Sequence, residues 1–378
     1  MVRELLTARG NLYTNGPVAY YFIDTNPEDL AETTTQIFLG IRLQCAKCHH
    51  HPFEVWSQDD YYGMAAFFTR VQRKDTKEEG QFGGSQSVSL SGKGIMRFPG
   101  TERAIYPRPL GQDAVQTKPG DDSREALAAW LTARDNAFFA RNIVNRYWGY
   151  LFGRGLVEPI DDLRATNPAS HPALLDALAK DFVAHNFDLK HLLRTLCNSR
   201  AYQLASEIAP KRDADGTFFT HFRPRRMQAE VLLDAINQAA GVDEKFTGVA
   251  PGTRAIALPD PSVVSYFLET FGRPIRTSTC ECARASAPDL RQALHLINSE
   301  TLHAKLTDKT GRVARLLAAK KSNLEIAREL YLATLSRLPN AREEVTIASL
   351  LSSAPTRQEG LEDLLWTLLN CPEFIFNH

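Results

Sequence analysis

The chain has 378 residues, of which 43% are hydrophobic and 23% charged, an ordinary globular composition that excludes a disordered protein. Lys plus Arg and Asp plus Glu both number 44, so the formal net charge is zero and no basic excess is available to displace counter-ions from nucleic acid. No apolar run approaches the ~20 residues that span a bilayer, Met1 to Leu6 carry no signal-peptide apolar core, and six cysteines exclude a disulfide-dense scaffold.

Most of the chain reads helical. Asn26 before Pro27, Glu28 and Asp29 combines a cap, a preset φ and acids at the positive end of a helix dipole. Leu30, Ile37, Phe38 and Ile41 then recur at helical spacing, leading into Cys45. Ser57 with Asp60 caps a second helix whose apolar side holds Met64, Phe67, Phe68 and Val71. Residues 74–120 are rich in Gly, Ser, Lys and Pro. Ser87 to Leu90 alternates, Ser91 to Gly94 reads as a turn and Ile95 to Phe98 as its return strand, which predicts a small hairpin in a long loop.

From Asp122 onward helices return: 126–131, 138–152 stopping at Gly153, 170–183, 188–204, 225–240 stopping at Gly241, 290–306, 312–319, 322–336, 340–351 and 361–370. The Pro-rich stretch from Pro251 to Pro274 is expected to be irregular, because an interior Pro costs a helix ~3 kcal/mol. Its Phe267, Leu268 and Phe271 need burial, and a strap over the Cys45 region is one use for them. The expected fold is mainly α, a helical multi-domain protein with a small β-hairpin insertion. Residues 1–118 form an N-terminal module and 119–378 a helical C-terminal module.

Chemistry concentrates at Cys45-Ala46-Lys47-Cys48-His49. Cys-x-x-Cys-His is the pattern of covalent haem c attachment: two thiols on one turn add to the two porphyrin vinyl groups, and the adjoining imidazole reaches the iron. The competing reading is a haem-free metal site, zinc above all, with His49 and His51 as ligands. His50 reads as a loop residue. Cys280-Glu281-Cys282 supplies a second thiol pair that would complete a four-thiolate zinc set with Cys45 and Cys48. Cys197 and Cys371 read as small buried hydrophobes. Candidate opposite ligands for a haem iron are Met64, Met96, His171, His185, His191, His221, His295 and His303, with Met64 suited to core packing and Met96 freer to reach. The pairs Asp59-Asp60, Asp121-Asp122 and Asp161-Asp162 each read as dipole partners near a helix start. Arg223 to Arg226 is a small basic cluster at a helix start.

The segment Gly40 to Gly63, spanning Cys45 to His49 and the following His50-His51-Pro52-Phe53, resembles the N-terminal half of the planctomycete exported paired-domain proteins of unknown function, DUF1549 and DUF1553. Ala140 to Trp148, Leu151 to Asp162, Ser170 to Asp176, Asn198 to Gln203, Arg223 to Arg226 and Leu369 to His378 are similar to the second half. The resemblance implies an exported, cytochrome-c-associated protein whose N-terminal half is longer than here, so the chain reads as N-terminally truncated. It places Cys45, Cys48 and His49 on the family's Cys-x-x-Cys-His and His51 on a frequent second His. The resulting expectation is a c-type haem-binding protein of the cell envelope, periplasmic or exported. It would serve electron transfer or haem-dependent catalysis linked to polysaccharide breakdown, with a redox partner or a carbohydrate substrate and neither nucleic acid nor a membrane span. A zinc protein and a non-catalytic helical interaction module are the alternatives.

Overall fold

The computed structural model describes residues 1–76, 85–116, 118, 120–206, 216–259, 262–274 and 289–377. The described residues fall in two compact units, Met1–Arg223 and the chain from Pro224 onward. The fold is mainly α with small antiparallel sheets.

The first unit opens with α1 (Val2–Leu6), β1 (Gly10–Asn11), α2 (Tyr20–Ile23) and α3 (Pro27–Leu39). Asn26 caps α3 by accepting from Asp29 N, and Gly40 ends it at φ 68°. Next, α4 (Gln58–Ala66) starts in a reciprocal capping box between Ser57 and Asp60. It stops before Val71, which begins β2 (Val71–Thr76). The partner of β2 is β3 (Ser85–Leu90), with β1 on the other side of β3. The expected return strand from Ile95 to Phe98 does not pair with Leu90: β4 (Met96–Arg97) pairs instead with β5 (Ala104–Ile105). At Gly94 a Cβ would meet Thr69 O at 2.6 Å, so the chain here runs close against the turn that follows α4.

After the loop come α5 (Ser123–Leu131), α6 (Phe139–Phe152), α7 (Pro172–Ala184) and α8 (Leu189–Cys197). Leu127, Leu131 and Phe139 enter the same core as Leu30, Tyr61, Phe67 and Phe68, so residues on both sides of position 118 share one hydrophobic core. Met64 and Met96 both belong to this core, and Met96, at 7% exposure, is not free to reach a ligand.

The second unit holds β6 (Arg225–Arg226), α9 (Ala229–Ala240), α10 (Tyr266–Thr270), α11 (Leu290–Asn298), α12 (Glu300–Leu306), α13 (Arg312–Ala318), α14 (Asn323–Leu335), α15 (Ala341–Ser353), α16 (Arg357–Leu369), α17 (Pro372–Ile375) and β7 (Phe376–Asn377), the last paired with β6. Ser299 splits the expected 290–306 helix by capping α12 in an extended conformation. Phe267, Leu268 and Phe271 are buried in this unit's own core with Leu233 and Ile236. The strap therefore spends its apolar side chains at home, where burial is worth ~1.5–3 kcal/mol each. Cys280 and Cys282 lie outside the described residues.

Candidate functional site

The Cys45–His49 motif sits on a short 3-10 turn, Gln44–Lys47, between α3 and α4. Leu43 and Ala46 are fully buried and hold the turn to the core, while Cys45, Cys48 and His49 are exposed. Both thiols are free of disulfides. Tyr62 Oη on α4 donates to Lys47 O at 3.0 Å and Gln58 Nε2 donates to the same oxygen at 3.2 Å, so one carbonyl ties the turn to the next helix. Burial, then the charges of Glu28 and Cys48, push the Tyr62 hydroxyl up from its ordinary range.

The two histidines of the resemblance are wired differently. His49 Nδ1 lies 2.7 Å from His50 O. A carbonyl can only accept, so Nδ1 carries the hydrogen and Nε2 keeps its lone pair, which is how ligating histidines are oriented by a backbone oxygen. His51 is buried. Its Nδ1 accepts from Phe53 N at 3.2 Å, its Nε2 donates to Arg42 O at 3.2 Å, and its own N donates to Trp56 O at 2.9 Å. Both ring nitrogens of His51 are therefore engaged in shaping the loop.

The end of α3 and the loop are clamped from the far side by α6 and the segment after it. Asp161, 2% exposed, accepts from Gln36 Nε2 at 2.6 Å and from Arg42 Nη2 at 2.5 Å. Asn142 Nδ2 donates to Ile37 O at 2.7 Å, Leu163 N to Gly40 O at 2.7 Å, and Ala165 N to Glu54 Oε1 at 2.8 Å. Arg164 lies over the Phe53 ring at 5.4 Å. Of the three carboxylate pairs, Asp60 and Asp122 do cap helices. Asp161 does not: it is the buried anchor of this clamp, and the sequence carries no signal for that.

Among the described residues, the group of three or more His, Cys, Asp or Glu whose ligand atoms converge within 4.8 Å is Asp181, His185 and His191. Cys45, Cys48, His49 and His51 form no such group. Donors of one tetrahedral zinc at Zn–S ~2.3 Å would lie under ~4 Å apart. Thiols that bond to two separate vinyl groups need no such convergence. The side chains of Cys45, Cys48, His49 and His51 are therefore not gathered as a single preformed ion site. Phe53 and Val55, 55% and 82% exposed, add apolar surface on the same loop.

The other expected ligands are placed as follows. His171 precedes α7 and meets Ser170 Oγ at 3.1 Å. His221 Nδ1 lies 3.4 Å from Thr220 Oγ1. His295 is ringed by Tyr266, Phe267 and Phe271, and burial pulls its pKa down. His303 is exposed on α12. Cys197 and Cys371 are half-buried, and Cys371, which donates to Leu368 O at 3.1 Å, is pushed up by burial.

No curated protein and no solved structure matches the chain. Residues 9–73, which include the motif, match the family PSCyt2, described as a protein of unknown function (DUF1549). No helix among the described residues is long and apolar enough to cross a membrane. Residues 123–351 match PSD1, a protein of unknown function (DUF1553), so the chain belongs to this family and carries the paired DUF1549–DUF1553 arrangement.

Proposed function

We propose that Cys45, Cys48 and His49 attach haem c and that the protein works in redox chemistry outside the cytoplasm. The observation that carries this reading is the pairing of two exposed, unbridged thiols with an imidazole whose Nε2 lone pair is kept available by the Nδ1 hydrogen bond to His50 O. The matched N-terminal family, PSCyt2, bears a cytochrome-associated name, which supports the reading. Each thiol S–H adds across one vinyl double bond, giving a thioether with no leaving group. Haem iron held by a His supplies one-electron chemistry whose potential is set by the opposite ligand and by hydrogen bonding. The chain's own contribution is positional. Leu43 and Ala46 pin the turn, Lys47 O fixes it to α4, and His51 holds the outgoing loop. Phe53 and Val55 offer apolar cover beside the motif. Because the motif is surface-exposed, a redox partner docking at this edge, or a carbohydrate substrate reaching it, has direct access.

The test is maturation in a periplasm that carries the c-type assembly machinery. The purified chain should keep haem through acid–acetone extraction, give the pyridine haemochrome of two thioethers, and gain one haem in intact mass. A colourless protein of unmodified mass from cells that mature a control cytochrome c sinks the reading.

A further inference from the structure

We propose that Asp181, His185 and His191 form a second, haem-independent site that binds a zinc-class divalent ion. It uses none of the residues of the Cys45–His49 turn. Asp181 lies in the last turn of α7, and His185, four residues on, is the residue at which that helix ends. Four residues apart on a helix share a face. The chain then turns sharply through Asn186 and Phe187, both with left-handed φ of 54° and 58°. Phe187 is anchored by edge contacts with Phe139 and Phe182 at 5.6 and 5.5 Å. Asp188 starts α8 by accepting from Lys190 N and His191 N, which sets His191 in the first turn. The corner brings the two imidazoles together, nearly parallel at 3.7 Å between ring centroids.

Both rings turn a nitrogen to the same carboxylate. His191 Nε2 is 2.7 Å from Asp181 Oδ2, and His185 Nδ1 is 3.2 Å from Asp181 Oδ1 and 2.9 Å from Asp181 O. Thr195 Oγ1, one turn further along α8, is 3.5 Å from His191 Nε2. The side chains of Asp181, His185 and His191 are 38%, 49% and 28% exposed, so water can complete a coordination shell.

Two imidazoles and one carboxylate suit Zn²⁺ and its neighbours, not Ca²⁺ or Mg²⁺, which take all-oxygen shells, and the absence of thiolate from the set disfavours Cu(I). Three protein ligands with water in the remaining position is the pattern of an open site. A neutral imidazole carries one hydrogen. The nitrogen facing Asp181 donates that hydrogen in the hydrogen-bonded arrangement and offers a lone pair when it ligates, the hydrogen moving to the ring's other nitrogen. For His185 this means giving up the 2.9 Å hydrogen bond from Nδ1 to Asp181 O.

The experiment uses the full chain without a histidine tag, stripped with chelator and titrated with Zn²⁺ and, as a spectroscopic probe, Co²⁺. In the Cys45→Ser/Cys48→Ser background we expect one equivalent of Zn²⁺ and a Co²⁺ spectrum without thiolate charge-transfer bands. His191→Ala and Asp181→Asn should each weaken that uptake at least about tenfold. Imidazole resonances of His185 and His191 in the otherwise unaltered chain should broaden first when Co²⁺ is added, a readout that needs no substitution at the site. Uptake that vanishes with the cysteines, or persists unchanged in His185→Ala/His191→Ala, overturns the proposal. So does Co²⁺ that broadens other residues first, which leaves the trio a hydrogen-bonded cluster only.

Discussion

Gln36 and Asp161, 125 positions apart, meet through a 2.6 Å hydrogen bond that fixes the helix leading into the cysteine turn to the loop leaving α6. Arg42 completes the junction on the other carboxylate oxygen. The turn is thus exposed at its tip and rigid at its root, the arrangement expected where reactive groups must be presented in a fixed geometry.

Asp161→Ala should be among the most disruptive single changes in the first unit. It leaves Gln36 Nε2 and the Arg42 guanidinium without their buried acceptor, and breaking a buried pair from one side costs about 3 kcal/mol or more. Arg42 is 36% exposed and recovers part of its solvation, which holds the loss near the lower end. Urea unfolding should show the drop, and limited proteolysis should open the chain around residues 49–56 first. A stable protein with an unchanged cleavage pattern would refute the anchoring role.

His49 and His51 should separate cleanly. His51→Ala removes two ring hydrogen bonds, to Arg42 O and Phe53 N, and should cost about 1–3 kcal/mol. His49→Ala, at an exposed position bonded only to its neighbour's carbonyl, should change stability by under about 0.5 kcal/mol. After maturation His49→Ala should keep thioether-bound haem but alter the iron ligation. Denaturation curves and optical spectra of the two variants decide this together.

Gly40→Ala tests the entry to the turn. The residue has φ 68°, and a Cβ there would lie 2.5 Å from Leu163 Cδ1 and 2.8 Å from Asn142 Oδ1. The left-handed backbone alone costs a side-chain-bearing residue about 1–2 kcal/mol. Leu163 and Asn142 are themselves clamp residues, so the thermal midpoint should fall further than the backbone cost predicts. Gly10→Ala, at φ 99° with open space around it, isolates the backbone contribution.

Acid should weaken both units by the same sign. Burial works to raise the Asp122 carboxyl, but the bonds and charge of Arg124, with help from Arg9, outweigh it and hold it below its ordinary 3.8. Glu343 is held at about 2, chiefly by the Arg337 guanidinium. A depressed carboxyl stabilises fully above its unfolded pKa and loses that contribution as pH falls through its folded value. Unfolding free energy should therefore decline below about pH 4.5 and keep declining toward pH 2. Asp122→Asn and Glu343→Gln should each flatten this acid limb, and Asp122→Asn should also lower stability at neutral pH, because Arg124 is fully buried. An acid limb as steep in both variants as in the original chain contradicts the assignment.

Local signals in the sequence determined most helices. Asn26, Ser57, Asp122, Asp188, Ser322 and Asn340 cap where their side chains predict, because a cap depends only on residues within one turn. The Cys45–His49 motif stands out as a candidate for the same reason: its five residues are consecutive. Tertiary structure decided what depends on distance along the chain. It paired β3 with β2 instead of with Ile95 to Phe98, and joined both sides of residue 118 in one core. It turned Asp161 from a helix partner into a buried anchor, and it divided labour between His49 and His51. His185 and His191 stood in the sequence as two unrelated histidines. Only a corner with two left-handed residues, locked by Phe187 against Phe139 and Phe182, brings them to one carboxylate, because side-chain convergence is set by packing and not by spacing along the chain.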